Sequence, residues 1–398
     1  MSKLYSLYKP SLDGIMKINQ LYNSSKIENK INLVIGAYRT IENKPFVFDS
    51  VKIAKQRPIF NQDKYSPFNQ HEYLPITGDI EFNNLSKKLY FGNSTNFSAV
   101  QTLSGTGSLY LLSQLLKEII KDNKTIYLPN PTWENHFNVF HSSNLNLSTY
   151  NYLSEDRKFN FEYLYDNVNK IPNSNIVLFH GCAHNPSGYD PHFNEWYELI
   201  QLCQKKNLLV IIDMAYLGFA SGNIEIDSAI LQIINNRDYP VFVCSSYAKN
   251  FGLYSERVGN LFFRGYNEIE TNELNDIFRT IIRKLYSNPP SNGSNIIKTI
   301  LSDESLYKLW LDDLNNINHH YTFIRNELKN KLEDKTNKNF SDIIKQKGMF
   351  YYSSLNGEQV EKMHEDGIFM PLSGRISLAG LNIRNIDRFV DIYIKNTK

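Results

Sequence analysis

The chain is poor in cysteine. Its 398 residues include three, Cys182, Cys203 and Cys244. An odd count without CxxC spacing argues against a disulfide framework and against a cysteine-built zinc site, and no metal is expected. No apolar run approaches the roughly 20 residues that a transmembrane helix needs. Neither sign of charge dominates: 43 Lys and Arg stand against 41 Asp and Glu, a formal net charge of +2. That balance gives no electrostatic case for nucleic acid or a membrane surface as a partner. The opening "MSKLYSLYKPSLDG" has no apolar signal core, and no arginine precedes Arg39. Both absences disfavour a secretory or mitochondrial leader, so a cytoplasmic protein is expected. No internal repeat is visible.

What is present suits a globular protein, with 41% hydrophobic and 21% charged residues. The length fits one large domain and a smaller one. From about 98 to 265 strand-like and helix-like stretches alternate, the signature of an α/β layer fold. "SAVQTLSG", "KTIYLP", "NIVLFHG", "LLVIID", "PVFVCSS" and "GNLFFRG" read as strands. Their apolar character suits strands covered on both faces of a mostly parallel sheet. "SLYLLSQLLKEIIKD" and "FNEWYELIQLCQKKN" read as helices. After about 300 the texture becomes α+β. "SDESLYKLWLDDLNNINHHYTFIRNELKNKLED" looks like one or two long helices, followed by short strands in "GMFYYSSL" and "GRISLAGL" and a last helix.

In an open α/β sheet, ligands bind beyond the carboxyl ends of the strands. After "VQTL" comes Ser104-Gly105-Thr106-Gly107, leading into a helix. Backbone N–H groups and hydroxyls at a helix N-terminus form an anion site, though the loop lacks the GK[ST] of a nucleotide-binding P-loop. "NIVLFH" runs into "GCAHNPSG", "LLVII" into Asp213, and "PVFVC" into Ser245, Ser246 and Lys249, with Arg257 eight positions further on. A lysine becomes a useful nucleophile when burial or a neighbouring cation lowers its pKa. An anion site, a carboxylate and such a lysine in one crevice are what pyridoxal phosphate requires: a holder for its phosphate, a partner for its ring nitrogen and an amine for its aldehyde.

Taken together, these stretches resemble the aspartate aminotransferases of the fold-type I pyridoxal-phosphate enzymes. The resemblance is carried by "NLVIGAYRT", "EYLPITG", "VQTLSGTGS", "PNPTWENH", "CAHNPSG", "IDMAYLGFASG", "SSYAKNFGLYSERVG", "IIRKLYSNPP" and "GRISLAGL". They stand in the family's order and cover most of the chain. The implied fold is a large domain with a mostly parallel sheet between helices, plus a smaller α+β domain. The implied boundaries are an N-terminal arm over 1–12, a small domain from 13–45 and 311–398, and a large domain over 46–310.

The resemblance also implies roles. Lys249 would bond the cofactor's aldehyde, and Asp213 its ring nitrogen. Asn185 and Tyr216 would reach its phenolic oxygen, with Trp133 and Ala215 on the two ring faces. Ser104, Gly105, Thr106, Ser246 and Arg257 would hold the phosphate, joined by Tyr73 from the neighbouring subunit of a homodimer. Arg375 would fork onto the substrate α-carboxylate, near Gly36 and Asn185. Arg283, again from the neighbour, would meet the side-chain carboxylate. His136 and His180 would stand behind Asp213. Two arginines suit dicarboxylic amino acids and 2-oxo acids, because a guanidinium binds a carboxylate bidentately. A hydrogen bond to a charged group contributes about 1.5–3 kcal/mol, roughly 10- to 150-fold in affinity. The implied reaction is reversible amino transfer from L-aspartate to 2-oxoglutarate. The alternative is an aromatic or dual-specificity aminotransferase on the same scaffold. Ser187, Glu134 and Lys284 depart from the family's usual threonine, glycine and proline, Glu134 directly after Trp133 and Lys284 beside Arg283.

Overall fold

The computed structural model describes residues 14–40, 42, 44–57, 72–93, 95–120 and 123–397. The arm expected over 1–12 lies outside these residues. The strands, in chain order, are β1 (Ile31–Asn32), β2 (Ser98–Thr102), β3 (Thr125–Asn130), β4 (Asn146–Asn151), β5 (Ile176–His180) and β6 (Leu209–Met214). They continue with β7 (Val241–Ser245), β8 (Gly259–Arg264), β9 (Phe350–Tyr352), β10 (Ile368–Phe369) and β11 (Arg375–Ser377). Seven of them form the main sheet, in the order β2-β8-β7-β6-β5-β3-β4. Pairings among β4, β3, β5, β6 and β7 are parallel, whereas β8 runs antiparallel to both β7 and β2.

Side chains alternate across the strands, as the period of two requires. Ile176, Leu178, Ile211, Phe242, Leu261 and Phe263 face one layer, where Leu109, Leu112 and Leu116 of the helix Ser104–Ile119 and Phe278 and Ile282 of the helix Glu268–Leu285 cover them. Val177, Phe179, Val210, Ile212, Val243 and Phe262 face the other layer. There Trp196, Leu199 and Ile200 of the helix Phe193–Lys205 help to cover them. Every residue of β5, β7 and β8 is buried, which is why 176–179, 241–244 and 261–263 are continuously apolar in sequence.

Two small sheets lie apart from the main one. β1 pairs in parallel with β10, and β9 pairs antiparallel with β11. The stretch after 300 holds one unbroken helix, Glu304–Thr336, capped by the Asp303 carboxylate accepting from Leu306 N. Trp310 of this helix is fully buried and stacks on Phe251 at 4.5 Å between centroids. Its indole N–H donates to Asn250 O at 2.6 Å. The helix thus braces the loop that carries Lys249. Trp310→Ala should destabilise the protein by about 3–5 kcal/mol, read from chemical denaturation. A loss below a quarter of that range would contradict the bracing.

Candidate active site

The carboxyl ends of β5, β6 and β7 open onto one cleft, since the three strands run in parallel and end side by side. They place His180, Asp213 and Ser245 there. β8 runs the other way, so its first residue, Gly259, begins at the same edge, opposite Thr102 of β2. A Cβ on Gly259 would lie 2.4 Å from Ser245 O and 2.8 Å from Ser104 C. Only glycine lets the three backbones converge at this point.

The cleft is lined by Ser104, Gly105, Thr106, Trp133, Asn185, Asp213, Ala215, Tyr216, Ser246, Lys249 and Arg257. Ser104 and Arg257 both take left-handed backbone conformations, with φ of 64° and 52°. Such angles are unfavourable for residues other than glycine and persist where the surroundings over-determine them. Ser104 Oγ and Ser246 Oγ are 2.9 Å apart. Ser104 opens a helix with no acidic residue in its first turn, so nothing on that turn offsets its positive end. Gly105 keeps the approach open, because a Cβ there would stand 3.1 Å from Ser246 Cβ. Two hydroxyls, a helix N-terminus and the Arg257 guanidinium fit a phosphate.

Lys249 Nζ lies 5.1 Å from the centre of the Tyr216 ring. Burial lowers its amine below the ordinary lysine value; Asp213 opposes the shift, and the Arg257 and Arg375 guanidiniums add to it. Burial pushes the Tyr216 hydroxyl well above its usual range.

Asp213 is 7% exposed, and burial alone would raise its carboxyl. The hydrogen bond from His136 does most to outweigh burial and holds it below the usual carboxylate range. The bond is 3.1 Å, from His136 Nε2 to Asp213 Oδ2. Its direction follows from a longer chain. Asn185 N–H donates to His180 Nδ1 at 3.4 Å, so that nitrogen is bare. Burial keeps the His180 ring neutral, with its pKa down to about 3, so its proton sits on Nε2 and goes to Thr132 Oγ1 at 3.0 Å. The Thr132 hydroxyl then donates to His136 Nδ1 at 2.8 Å. That leaves the His136 Nε2 proton for Asp213. One backbone N–H thereby orients every proton toward the carboxylate.

Arg375 is buried at an adjoining recess shared with Trp133 and Asn185. Its guanidinium donates to Val34 O at 2.8 Å and to Asn185 Oδ1 at 3.3 Å, and it lies 4.2 Å over the Phe350 ring. Gly36 stands beside the same ring, and a Cβ there would meet Phe350 Cζ at 2.7 Å. Tyr73 and Arg283 are not among the residues lining either space. Tyr73 is 82% exposed. Arg283 is exposed in the last turn of its helix and donates to Ser287 Oγ. Sequence reasoning overlooked Thr132, Phe350 and the Val34 carbonyl. Thr132 sits inside "PNPTWENH" four residues before His136, the one signal that could have drawn attention to it. Among the described residues no cluster of His, Cys, Asp and Glu could hold a metal ion.

A family model for aminotransferase class I and II matches residues 28–392. The cytoplasmic aspartate aminotransferase of rice (Oryza sativa subsp. japonica) is 38% identical over 388 residues, 95% of this chain and 94% of the relative. The solved aspartate aminotransferase from Saccharomyces cerevisiae cytoplasm superposes with a TM-score of 0.92 at 32% identity, covering 99% of this chain and 98% of that one. An aromatic-amino-acid aminotransferase from Burkholderia pseudomallei, solved with covalently bound pyridoxal phosphate, also reaches 0.92, at 29% identity and 100% coverage of both chains.

The oriented chain behind Asp213 can be tested through cofactor affinity. His136→Phe removes the donor and leaves burial to favour the neutral acid. Pyridoxal phosphate affinity, followed by equilibrium dialysis across pH, should fall about 10- to 150-fold at neutral pH. Its loss on acidification should also begin at higher pH than in the wild type, since the depressed carboxyl rises. An unmoved pH profile would contradict this role.

Proposed function

This chain belongs to the class I and II aminotransferases, and from that membership we propose that it transfers the amino group of L-aspartate to 2-oxoglutarate. The products are oxaloacetate and L-glutamate, formed by a ping-pong cycle in which the two substrates use one site in turn. The cofactor is pyridoxal phosphate. The observation that carries the reading is the buried Lys249 amine, held below its ordinary pKa in the same cleft as Asp213 and the Ser104–Ser246 pair.

Bound pyridoxal phosphate supplies a protonated ring that takes up the electron pair left when the substrate's α-carbon loses its proton. Everything else falls to the chain. Asp213, kept ionised by His136, would be the anion that holds the proton on the ring nitrogen. Ser104, Gly105, Thr106, Ser246, Arg257 and the helix N-terminus would hold the phosphate. Asn185 and Tyr216 would serve the ring's phenolic oxygen, and Trp133 and Ala215 its faces. Arg375, already fixed by Val34, Asn185 and Phe350, orients the substrate α-carboxylate. With the cofactor bound, Lys249 Nζ would be the group that takes the proton from the substrate's α-carbon. Its lowered pKa favours the neutral amine this step needs.

In this reading the active unit is a homodimer. Tyr73 and Arg283 are exposed on their own chain and serve the cleft of a second copy, Tyr73 at the phosphate and Arg283 at the substrate's distal carboxylate. The stretches 13–45 and 311–398 form the smaller domain. The location is the cytoplasm, as for the rice relative. Among the described residues no helix is long and apolar enough to cross a membrane.

Turnover of L-aspartate and L-phenylalanine with 2-oxoglutarate tests the reading in the pyridoxal-phosphate-loaded enzyme. Lys249→Ala should abolish both activities. Arg283→Leu should cost about 10- to 150-fold in kcat/KM for aspartate and spare phenylalanine. Equal losses on both substrates would sink the distal-carboxylate role. A wild type that prefers phenylalanine would favour the aromatic reading instead.

A further inference from the structure

Beyond the carboxyl end of β4 the chain makes a closed turn. Ser154 N donates to Lys158 O at 3.0 Å, and Arg157 N donates to Ser154 O at 2.9 Å. The base of this turn is fixed to the main sheet. Tyr152 N donates to the carbonyl of Asn130, the last residue of β3, at 2.9 Å. The hydroxyl of the buried Tyr152 donates to Tyr189 O at 2.7 Å. Within the turn Arg157 takes a left-handed backbone conformation, with φ of 61°. Such a conformation persists where the surroundings over-determine it.

Those surroundings are the strand pair β9–β11. Arg157 Nη1 donates to Ser353 O at 2.9 Å, and to Leu355 O and Ser373 O at 3.2 Å each. Its guanidinium also lies 5.1 Å over the ring of Tyr352, the residue paired with Arg375 across the two strands. The carbonyls come from two segments that are joined at Gly374, where Ser353 N and Ser353 Oγ donate to Gly374 O at 3.1 and 2.7 Å. Three carbonyl oxygens that converge on one point repel one another, and a cationic donor offsets that repulsion. The Arg157 side chain is half-buried, so salt screens its contacts less than those of a surface arginine.

We infer that Arg157 is a positioning residue for Arg375: by gathering the carbonyls of Ser353, Leu355 and Ser373 it fastens the β9–β11 pair to the turn beyond β4, and so fixes where the Arg375 guanidinium stands. The link from Arg375 to a substrate α-carboxylate rests on the proposed aspartate activity; the fastening itself does not. The α-carboxylate keeps its charge throughout amino transfer. Loosening Arg375 therefore weakens ground state and transition state alike, which appears in KM rather than in kcat.

The test uses the pyridoxal-phosphate-loaded enzyme as wild type, Arg157→Ala and Arg157→Lys. Amide hydrogen exchange over residues 350–355 and 373–377 reads the fastening, and steady-state kinetics with L-aspartate read its consequence. Arg157→Ala should speed exchange in both segments about 2- to 12-fold, the worth of one ordinary hydrogen bond, and raise the aspartate KM by a similar factor. Its kcat and its pyridoxal phosphate affinity should stay at the wild-type values. Arg157→Lys keeps a cation for the carbonyls and should fall between Ala and wild type; it supplies both readouts if the Ala protein does not fold. Exchange unchanged in the variants would overturn the fastening. Faster exchange with an unchanged KM, or a loss confined to kcat or to cofactor affinity, would overturn the positioning of Arg375. A wild type that does not turn over aspartate would refute the proposed activity, while the exchange measurement would still decide the fastening.

Discussion

A carboxylate buried to 7% exposure is the constraint around which this molecule is arranged. Taking an ionised group out of water is costly unless it is paired and hydrogen-bonded, and the usual relief is protonation. Asp213 avoids that outcome because His136 donates to it, and His136 is fixed in the donating tautomer by Thr132, His180 and the Asn185 N–H. The chain of bonds is paid for by buried polar groups that are each satisfied by the next. Remove one link and the proton pattern can reverse, leaving burial to favour the neutral acid.

The fold supplies this arrangement through strand direction. β5, β6 and β7 end at a common level, so His180, Asp213 and Ser245 become neighbours although they are far apart in sequence. The reversed β8 returns Gly259 to the same edge, where it packs under Ser104 and Ser245 without a side chain. Arg375 comes from the separate β9–β11 pair and is tied back to Val34 and Asn185. The lysine and the arginine thus stand on different supports.

Much of this was legible in the sequence, for physical reasons. The inner strands are buried on both faces and read as continuous apolar runs, and the residues after them fall at the strand ends where ligands bind. β4 was not legible, because it is an edge strand with the polar sequence NLSTYN and several exposed residues. β1 and β10 are two residues each and have no period to detect. The single helix Glu304–Thr336 left open whether it was one helix or two, since its long run is heavily polar. Within the site, Thr132 escaped notice because a threonine carries no charge and its role exists only between two histidines brought together by folding. Tyr73 and Arg283 came from the family resemblance alone; on one chain they lie at the surface, and nothing local in their sequence marks them for a cleft.

The most direct measurement of the account is chemical. Borohydride reduces an imine and locks the cofactor onto whichever amine holds it. The purified enzyme, loaded with pyridoxal phosphate, reduced, digested and mapped by mass spectrometry, should carry the label on Lys249, the lysine whose amine burial holds below the ordinary value beside Asp213. Label on a different lysine, or none after reduction, would contradict the account.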